Sequence, residues 1–320
     1  LYHWSKNPPD VITGWNVRLY DIPYLCGRIG RIMGDKKMKL LSPWGLVTHE
    51  EVYISGRQFN VYDIAGLTTL DYLELYKKFT YKAQESYRLD YIAQIELGQK
   101  KLDHSEFDTF KDFYRGNWKK FVDYNIIDVE LVDRLEDKMK LIELALTMAY
   151  TAKVNYIDVM FQVRTWDTII YNYLKKRNIV IPPKNRSQKN DKYAGAYVKE
   201  PIPGKYDWVV SFDLNSLYPH LIMQYNISPE TLREIRHPSA SVEGFLNQEV
   251  DIAEDYATCA NGAQYRKDVK GFLPELMEKM YAERVIFKKR MLTAKQEYEK
   301  TPSVALEKEI ARCNNIQMAK

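Results

Sequence analysis

Cysteine is scarce in this chain of 320 residues, and the three present, Cys26, Cys259 and Cys313, lie far apart. No Cys-x-x-Cys pair occurs and no histidine stands near them in ligand spacing, so neither a disulfide framework nor a zinc site is indicated. No apolar run approaches the ~20 residues that a membrane span needs, and the first residues lack the pattern of a signal peptide. The expectation is a soluble protein of a reducing, intracellular compartment, with no membrane partner. Strong net charge is missing too. Charged residues make up 28% of the chain but balance to only +4, so contact with nucleic acid has to come from local clusters. The length suits two or three domains with real cores. The chain opens on Leu1 and closes at Lys320 inside a helical pattern, ALEKEIARCNNIQMAK, without a Gly or Asn cap. An internal piece of a longer protein is therefore expected.

The most informative stretch is VVSFDLNSLYPHLIMQYNISPETL, residues 209–232. Trp208, Val209, Val210 and Phe212 read as a short buried strand, and Leu214 to Gln224 as a tight turn entering a helix. Asp213 then sits at a strand-to-helix junction, where a hard cation takes carboxylate and phosphate oxygens and free N–H groups of the turn receive a triphosphate. A plain helix cap explains the same aspartate equally well on spacing alone.

A similar junction occurs early in the chain. VITGWNV, residues 11–17, has the β-branched character of a strand, and RLYDIPYLCGRIGRIMG turns helical, with Asp21 just ahead of Pro23. Asp21 again reads as a helix cap or as a ligand. In DYNIIDVELV, Tyr124 and Asp128 are four apart and share one helical face. EEVYISGRQFNVYDIAG reads as a hairpin around Ser55 and Gly56, and LTTLDYLELYKKF as a core-facing helix. The 25 tyrosines of the chain mostly serve packing; a few exposed rings can stack on unpaired bases, but periodicity does not say which.

LIELALTMAYTAKV and TWDTIIYNYLKKRNIVI look like connecting helices. PPKNRSQKNDKYAG, polar and basic, then reads as a loop or domain boundary. Its Lys184, Arg186, Lys189 and Lys192 suit phosphate contacts or a solvated linker. Further on, GFLPELMEKMYAERVIFKKRMLTAKQEYEK is one long amphipathic pattern, broken by Thr301 and Pro302, which offer the cap and first residue of a second helix. Arg284 and Lys288, four apart, emerge on one face, where a triphosphate can bridge them. A solvated face explains them too.

Taken together, SFDLNSLYP and NISPETL closely resemble motif A of the family B DNA polymerases, particularly those of the T-even-type phages. GWNVRLYDIPY and YNIIDVELV resemble the second and third motifs of that family's 3′-to-5′ exonuclease. YAGAYVKEP resembles the element joining exonuclease to polymerase, and the Arg284 segment resembles the fingers helix. The resemblance implies that Asp213 binds both catalytic metals, that Leu214, Ser216 and Leu217 contact the triphosphate, and that Tyr218 excludes a ribose 2′-hydroxyl. Arg284 and Lys288 would bind the triphosphate, and Tyr193 and Gly195 DNA. Asp21 and Asp128 would hold the exonuclease metals, with Tyr124 positioning the attacking water. His220 departs from the phage pattern, which has a small polar residue there.

The implied fold is a mixed α/β and α+β multidomain one. It comprises the C-terminal part of a ribonuclease-H-like exonuclease domain over 1–140 and connecting helices over 141–184. The first part of an antiparallel palm follows over 185–270, and helical fingers over 271–320, cut before or within motif B, with Lys320 close to that motif's lysine. The cofactor would be Mg²⁺, two ions per active site, with Mn²⁺ as a substitute. The partners would be primer–template DNA and dNTPs, with a sliding clamp and other replisome proteins meeting regions outside this chain, in a viral protein of the host cytoplasm. The exonuclease's Asp-x-Glu motif would precede Leu1 and the polymerase's Asp-Thr-Asp would follow Lys320. A split polymerase needing a partner chain and a noncatalytic DNA-binding remnant are the competing readings.

Overall fold

The computed structural model describes residues 1–54, 56–80, 82–181, 183 and 198–319. Two compact units divide the chain, Leu1–Val180 and Ile181–Met318. Ser55, Lys184, Arg186, Lys189, Lys192, Tyr193, Gly195 and Lys320 lie outside the described residues.

The first unit begins with a short helix, α1 (Tyr2–Lys6), and strand β1 (Val11–Gly14). The strand expected over 11–17 stops at Gly14 because Asn16 takes a left-handed φ of 64°. The N–H groups of Asn16 and Arg18, which a longer strand would offer to a neighbour, go instead to the Asp71 carboxylate. Helix α2 (Asp21–Met33) follows, with Asp21 as its first residue, then α3 (Asp35–Met38). Strands β2 (Val47–Ile54) and β3 (Arg57–Ile64) form the expected antiparallel hairpin, with Gly56 at φ 77° in its turn.

The segment expected as one helix from Leu67 is instead strand β4 (Thr68–Asp71) followed by helix α4 (Tyr72–Phe79). The β-branched Thr68 and Thr69 favour the extended form, and β4 pairs in parallel with β1, Thr68 opposite Val11 and Asp71 opposite Gly14. Asp71 then caps α4, its Oδ1 accepting the Leu73 N–H at 3.0 Å. Four helices come next, α5 (Leu89–Leu97), α6 (Phe110–Gly116), α7 (Trp118–Met139) and α8 (Leu141–Ala152), with α9 (Gln162–Lys175) after them. Tyr72 and Tyr76 from α4, Ile92 from α5, Leu135 from α7 and Ala145 from α8 are sealed in one core. Side chains such as Ile92 and Leu135 contribute roughly 1.5–3 kcal/mol each by that burial. The same core takes in Leu70 of β4 and Leu131, Val132 and Leu135 of α7.

In the second unit, Trp208, Val209, Val210 and Phe212 are exposed, at 93%, 80%, 72% and 91%, and form no strand. This overturns the buried strand expected there. Among the described residues no strand lies beside this run, and an extended segment with no ladder partner has nothing to satisfy its backbone groups in a dry core. Helix α10 (Leu217–Gln224) starts after Ser216, whose φ is 53°. Helix α11 (Val242–Leu246) follows, and the antiparallel pair β5 (Tyr256–Thr258) and β6 (Gln264–Arg266) extends through a bridge from Leu232 to Tyr265.

The long helix α12 (Phe272–Lys300) and α13 (Val304–Ala319) complete the unit. Thr301 ends α12, donating its N–H to Glu297. The N-cap role belongs to Ser303, not Thr301: Ser303 Oγ takes the Leu306 N–H at 3.3 Å. The segment Asn226–Leu232 anchors the start of α12. Asn226 Oδ1 accepts the Gly271 N–H at 2.9 Å and Glu230 Oε1 the Phe272 N–H at 2.6 Å. A Cβ on Gly271 would stand 2.5 Å from Ser228 Cβ, so this approach requires glycine.

Candidate functional site

In the first unit, one cavity of about 960 Å³ gathers Asp21, Tyr124 and Asp128. The three residues reach it from different elements: Asp21 opens α2, while Tyr124 and Asp128 lie one helical turn apart on α7. The loop between β1 and α2 is held in place by Asp71, whose two oxygens accept N–H groups from Asn16, Arg18 and Leu73, each at 3.0 Å. Trp15 adds a bond from Nε1 to the Tyr87 carbonyl at 3.0 Å.

Five carboxylates, Asp21, Asp90, Asp128, Asp133 and Glu136, line this cavity against two cations, Arg88 and Lys101. Burial pushes the Asp21 pKa above the ordinary 3.8; its own backbone N–H pulls the other way, and the Asp128 charge pushes it up further. Asp128 Oδ2 accepts from Lys101 Nζ at 2.7 Å. Asp128 Oδ1 is buried and has no hydrogen-bond partner among the described residues. The Lys101 ammonium also donates to the Tyr124 hydroxyl at 3.3 Å and lies 5.2 Å from its ring centroid. The Lys101 backbone N–H is fixed by Asp90 Oδ1 at 2.8 Å. An orphaned carboxylate oxygen beside a second, repelled carboxylate suits a divalent cation, which takes oxygen ligands. Asp21 and Asp128 could hold one, although no cluster of three or more potential ligands occurs among the described residues.

Lys101 and Asp71 hold the residues of this cavity in place, and the sequence reading missed both. Asp71 had a signal: Asp followed three residues later by Glu74 before an apolar stretch is a helix-start pattern. Lys101 had none, since it sits in an irregular stretch after the left-handed Gly98 and only the fold brings it to α7.

In the second unit, Asp213 and Leu214 lie on the exposed segment ahead of α10, and Tyr218 is 70% exposed on the helix. His220 Nδ1 donates to the Ser216 carbonyl at 2.9 Å, which fixes the proton on that nitrogen. The His220 ring meets Tyr281 of α12 edge-on, with centroids 4.9 Å apart. Tyr281, Arg284 and Lys288 share one face of α12, so α10 packs on the side that carries the basic pair. Both basic side chains are exposed. No hydrogen bond or ion pair joins them to Asp213 or Tyr218.

Comparison with known proteins shows what class of protein this arrangement belongs to. Residues 1–92 match the family model "DNA polymerase family B, exonuclease domain", and residues 161–304 match "DNA polymerase family B". The DNA-directed DNA polymerase of Escherichia phage RB69 is 39% identical over 300 residues, covering 93% of this chain and 33% of that protein. That of Enterobacteria phage T4 is 35% identical over 296 residues, covering 92% and 33%. A DNA polymerase delta catalytic subunit from Candida albicans is 28% identical over 302 residues, covering 89% and 28%. The fold is thus a family B exonuclease region followed by a polymerase region. The chain belongs to DNA polymerase family B, and it spans about a third of the length of the phage relatives.

Proposed function

We propose that this chain is the segment of a DNA-directed DNA polymerase that carries much of a 3′-to-5′ exonuclease and the nucleotide-binding part of the polymerase site. The convergence of Asp21, Tyr124 and Asp128 on one cavity, with Lys101 bonded to two of them, carries this reading. Two sequence motifs separated by about a hundred positions meet in space, as a catalytic site requires. The domain limits we propose are 1–140 for the exonuclease, 141–184 for the connection, 185–270 for the palm and 271–320 for the fingers.

Asp21 and Asp128 would hold Mg²⁺ in the exonuclease and Asp213 in the polymerase. Such ions, when bound in pairs, activate the attacking oxygen and stabilise the leaving one. The chain's own groups do the rest. Asp71 fixes the loop that carries Asp21, and the Tyr124 hydroxyl, held by Lys101, would orient a water. On the polymerase side, Arg284 and Lys288 present two exposed cations to a triphosphate, and the Tyr218 ring is free to stand under a sugar and reject a 2′-hydroxyl. Primer–template DNA and dNTPs are the substrates, with Mn²⁺ a substitute metal. The phage relatives favour a viral replication protein acting in the host cytoplasm, with a clamp and other replisome proteins bound elsewhere.

The test separates the two activities. In the intact polymerase, Asp213→Ala should abolish primer extension and spare degradation of a 3′-labelled single strand. Asp21→Ala and Asp128→Ala should do the reverse. Near-normal extension by Asp213→Ala, or undiminished degradation by Asp128→Ala, would overturn the corresponding assignment.

A further inference from the structure

Helix α12, which carries Arg284 and Lys288, begins without a cap of its own, because Gly271 at its N-cap has no side chain. An α-helix leaves the N–H groups of its first turn without an intrahelical partner. Here a short segment 42 to 45 residues earlier in the chain supplies the acceptors. Asn226 Oδ1 takes the Gly271 N–H at 2.9 Å, Glu230 Oε1 the Phe272 N–H at 2.6 Å and Ser228 Oγ the Leu273 N–H at 3.4 Å. The next residue is Pro274, which has no N–H to satisfy. Every donor that the first turn of α12 leaves over is therefore answered from residues 226–230.

The three acceptors are themselves locked. Asn226 holds a left-handed φ of 52°, and its Nδ2 donates to the carbonyls of Arg266 and Val269 at 2.5 and 2.8 Å. The Ser228 hydroxyl donates to Glu230 Oε2 at 2.6 Å, and Ser228 is only 2% exposed. Glu230 also brings a carboxylate to the positive end of the helix dipole. This segment directly follows α10, which ends at Gln224 and begins after the left-handed Ser216. One continuous stretch of chain thus carries the turn at Ser216 and grips the start of α12.

We infer that Asn226, Ser228 and Glu230 are positioning residues for the incoming nucleotide: they set the direction of α12 and so bring Arg284 and Lys288 to the triphosphate. The inference rests on the polymerase reading of that basic pair. Successive N–H groups point to different sides of a helix, so acceptors on three of them in a row fix the axis as well as the end. Direction matters because the basic pair stands far from the anchor. Arg284 lies about 18 Å along the axis from Phe272, at ~1.5 Å per residue, and a tilt of about ten degrees at the start would carry it roughly 3 Å aside. A charge-assisted hydrogen bond to a phosphate does not survive such a shift.

The test is single-nucleotide primer extension by the intact polymerase, read as KM for the dNTP and kcat. Glu230 is exposed, so Glu230→Ala removes an acceptor without opening a cavity. It should raise KM about ten-fold with kcat largely retained, within what a small misplacement of a binding group costs, and leave degradation of a 3′-labelled single strand unchanged. Glu230→Gln, which keeps the acceptor oxygen, should stay near wild type. With Arg284→Ala and Lys288→Ala already in place, Glu230→Ala should add nothing to KM, because residues that act through one another are not additive. A cap that served stability alone would cost the same in either background. A wild-type KM in Glu230→Ala, or an undiminished rise in the Arg284→Ala, Lys288→Ala background, would overturn the positioning role while leaving the basic pair assigned. If removing Arg284 and Lys288 leaves KM at its wild-type value, the basic-pair reading and the positioning role would fall together.

Discussion

Lys101 Nζ sits 2.7 Å from Asp128 Oδ2 and donates as well to the Tyr124 hydroxyl, so one ammonium organises two side chains of the cavity that Asp21 also lines. Both partners of the ion pair are half-buried. Burial works to lower the Lys101 pKa, but the bond to Asp128 and its charge outweigh burial and hold it above the ordinary 10.5. Lys101 thus stays charged at every physiological pH. Lys101→Met, which keeps the aliphatic stem, should lower degradation of a single strand by roughly 10–100-fold, the usual cost of removing a group that orients a ligand. Primer extension should not change. A gel assay of 3′-labelled strand against primer extension on the same preparation checks both.

The raised pKa of Asp21 makes a stability prediction whose sign can be worked out. A carboxyl whose folded pKa lies above its unfolded 3.8 favours the folded state only while protonated. That stability is fully present below pH 3.8 and is lost as pH rises through the folded pKa. Asp21→Asn should therefore be more stable than wild type to denaturant at pH 7, and the gap should close as pH falls towards 3.8. Chemical denaturation at several pH values measures it. A gap that widens on acidification would show that Asp21 gains, not loses, from being charged in the fold. Asp128→Asn should in addition lower the Asp21 pKa, though burial keeps it above ordinary, as carboxyl carbon NMR can show.

Asp71 is only 3% exposed and takes three backbone N–H bonds. Asp71→Ala leaves those donors without their acceptor, and each buried unsatisfied group costs about 1–3 kcal/mol. A loss of several kcal/mol in denaturant stability is expected. Asp71→Asn, whose single acceptor oxygen still serves part of the set, should fold better yet degrade DNA poorly, because the loop carrying Asp21 loosens. Asp71→Asn with normal degradation would show that the loop needs no such tether.

His220 and Tyr281 join α10 to α12 through an edge-on ring contact at 4.9 Å. Such pairs couple by about 0.5–1.5 kcal/mol beyond their burial. A double-mutant cycle with His220→Ala and Tyr281→Ala should return a coupling of that size in denaturant unfolding. Additive effects would mean that the two helices are held by other contacts alone, including the Asn226 and Glu230 clamp on the start of α12.

Much of this molecule was determined by its local sequence. The hairpin around Gly56 followed from alternation and a turn glycine, and the shared face of Tyr124 and Asp128 from their spacing of four. The α12 pattern likewise follows from apolar periodicity, because helices and hairpins satisfy their hydrogen bonds within a few residues. The family, too, was legible in the motifs. What only tertiary structure decided depends on partners distant in the chain. Thr68–Asp71 became a strand because β1, more than fifty residues earlier, was there to pair with it. Trp208–Phe212, with equal strand character, stayed irregular and exposed because no strand among the described residues lies beside it. Asp71 became the tether of the Asp21 loop and Lys101 the counter-ion of Asp128. In each of these the deciding term is the energy of an unpaired backbone group, a buried charge or an exposed ring, and that energy is set only when the fold determines what lies next to it.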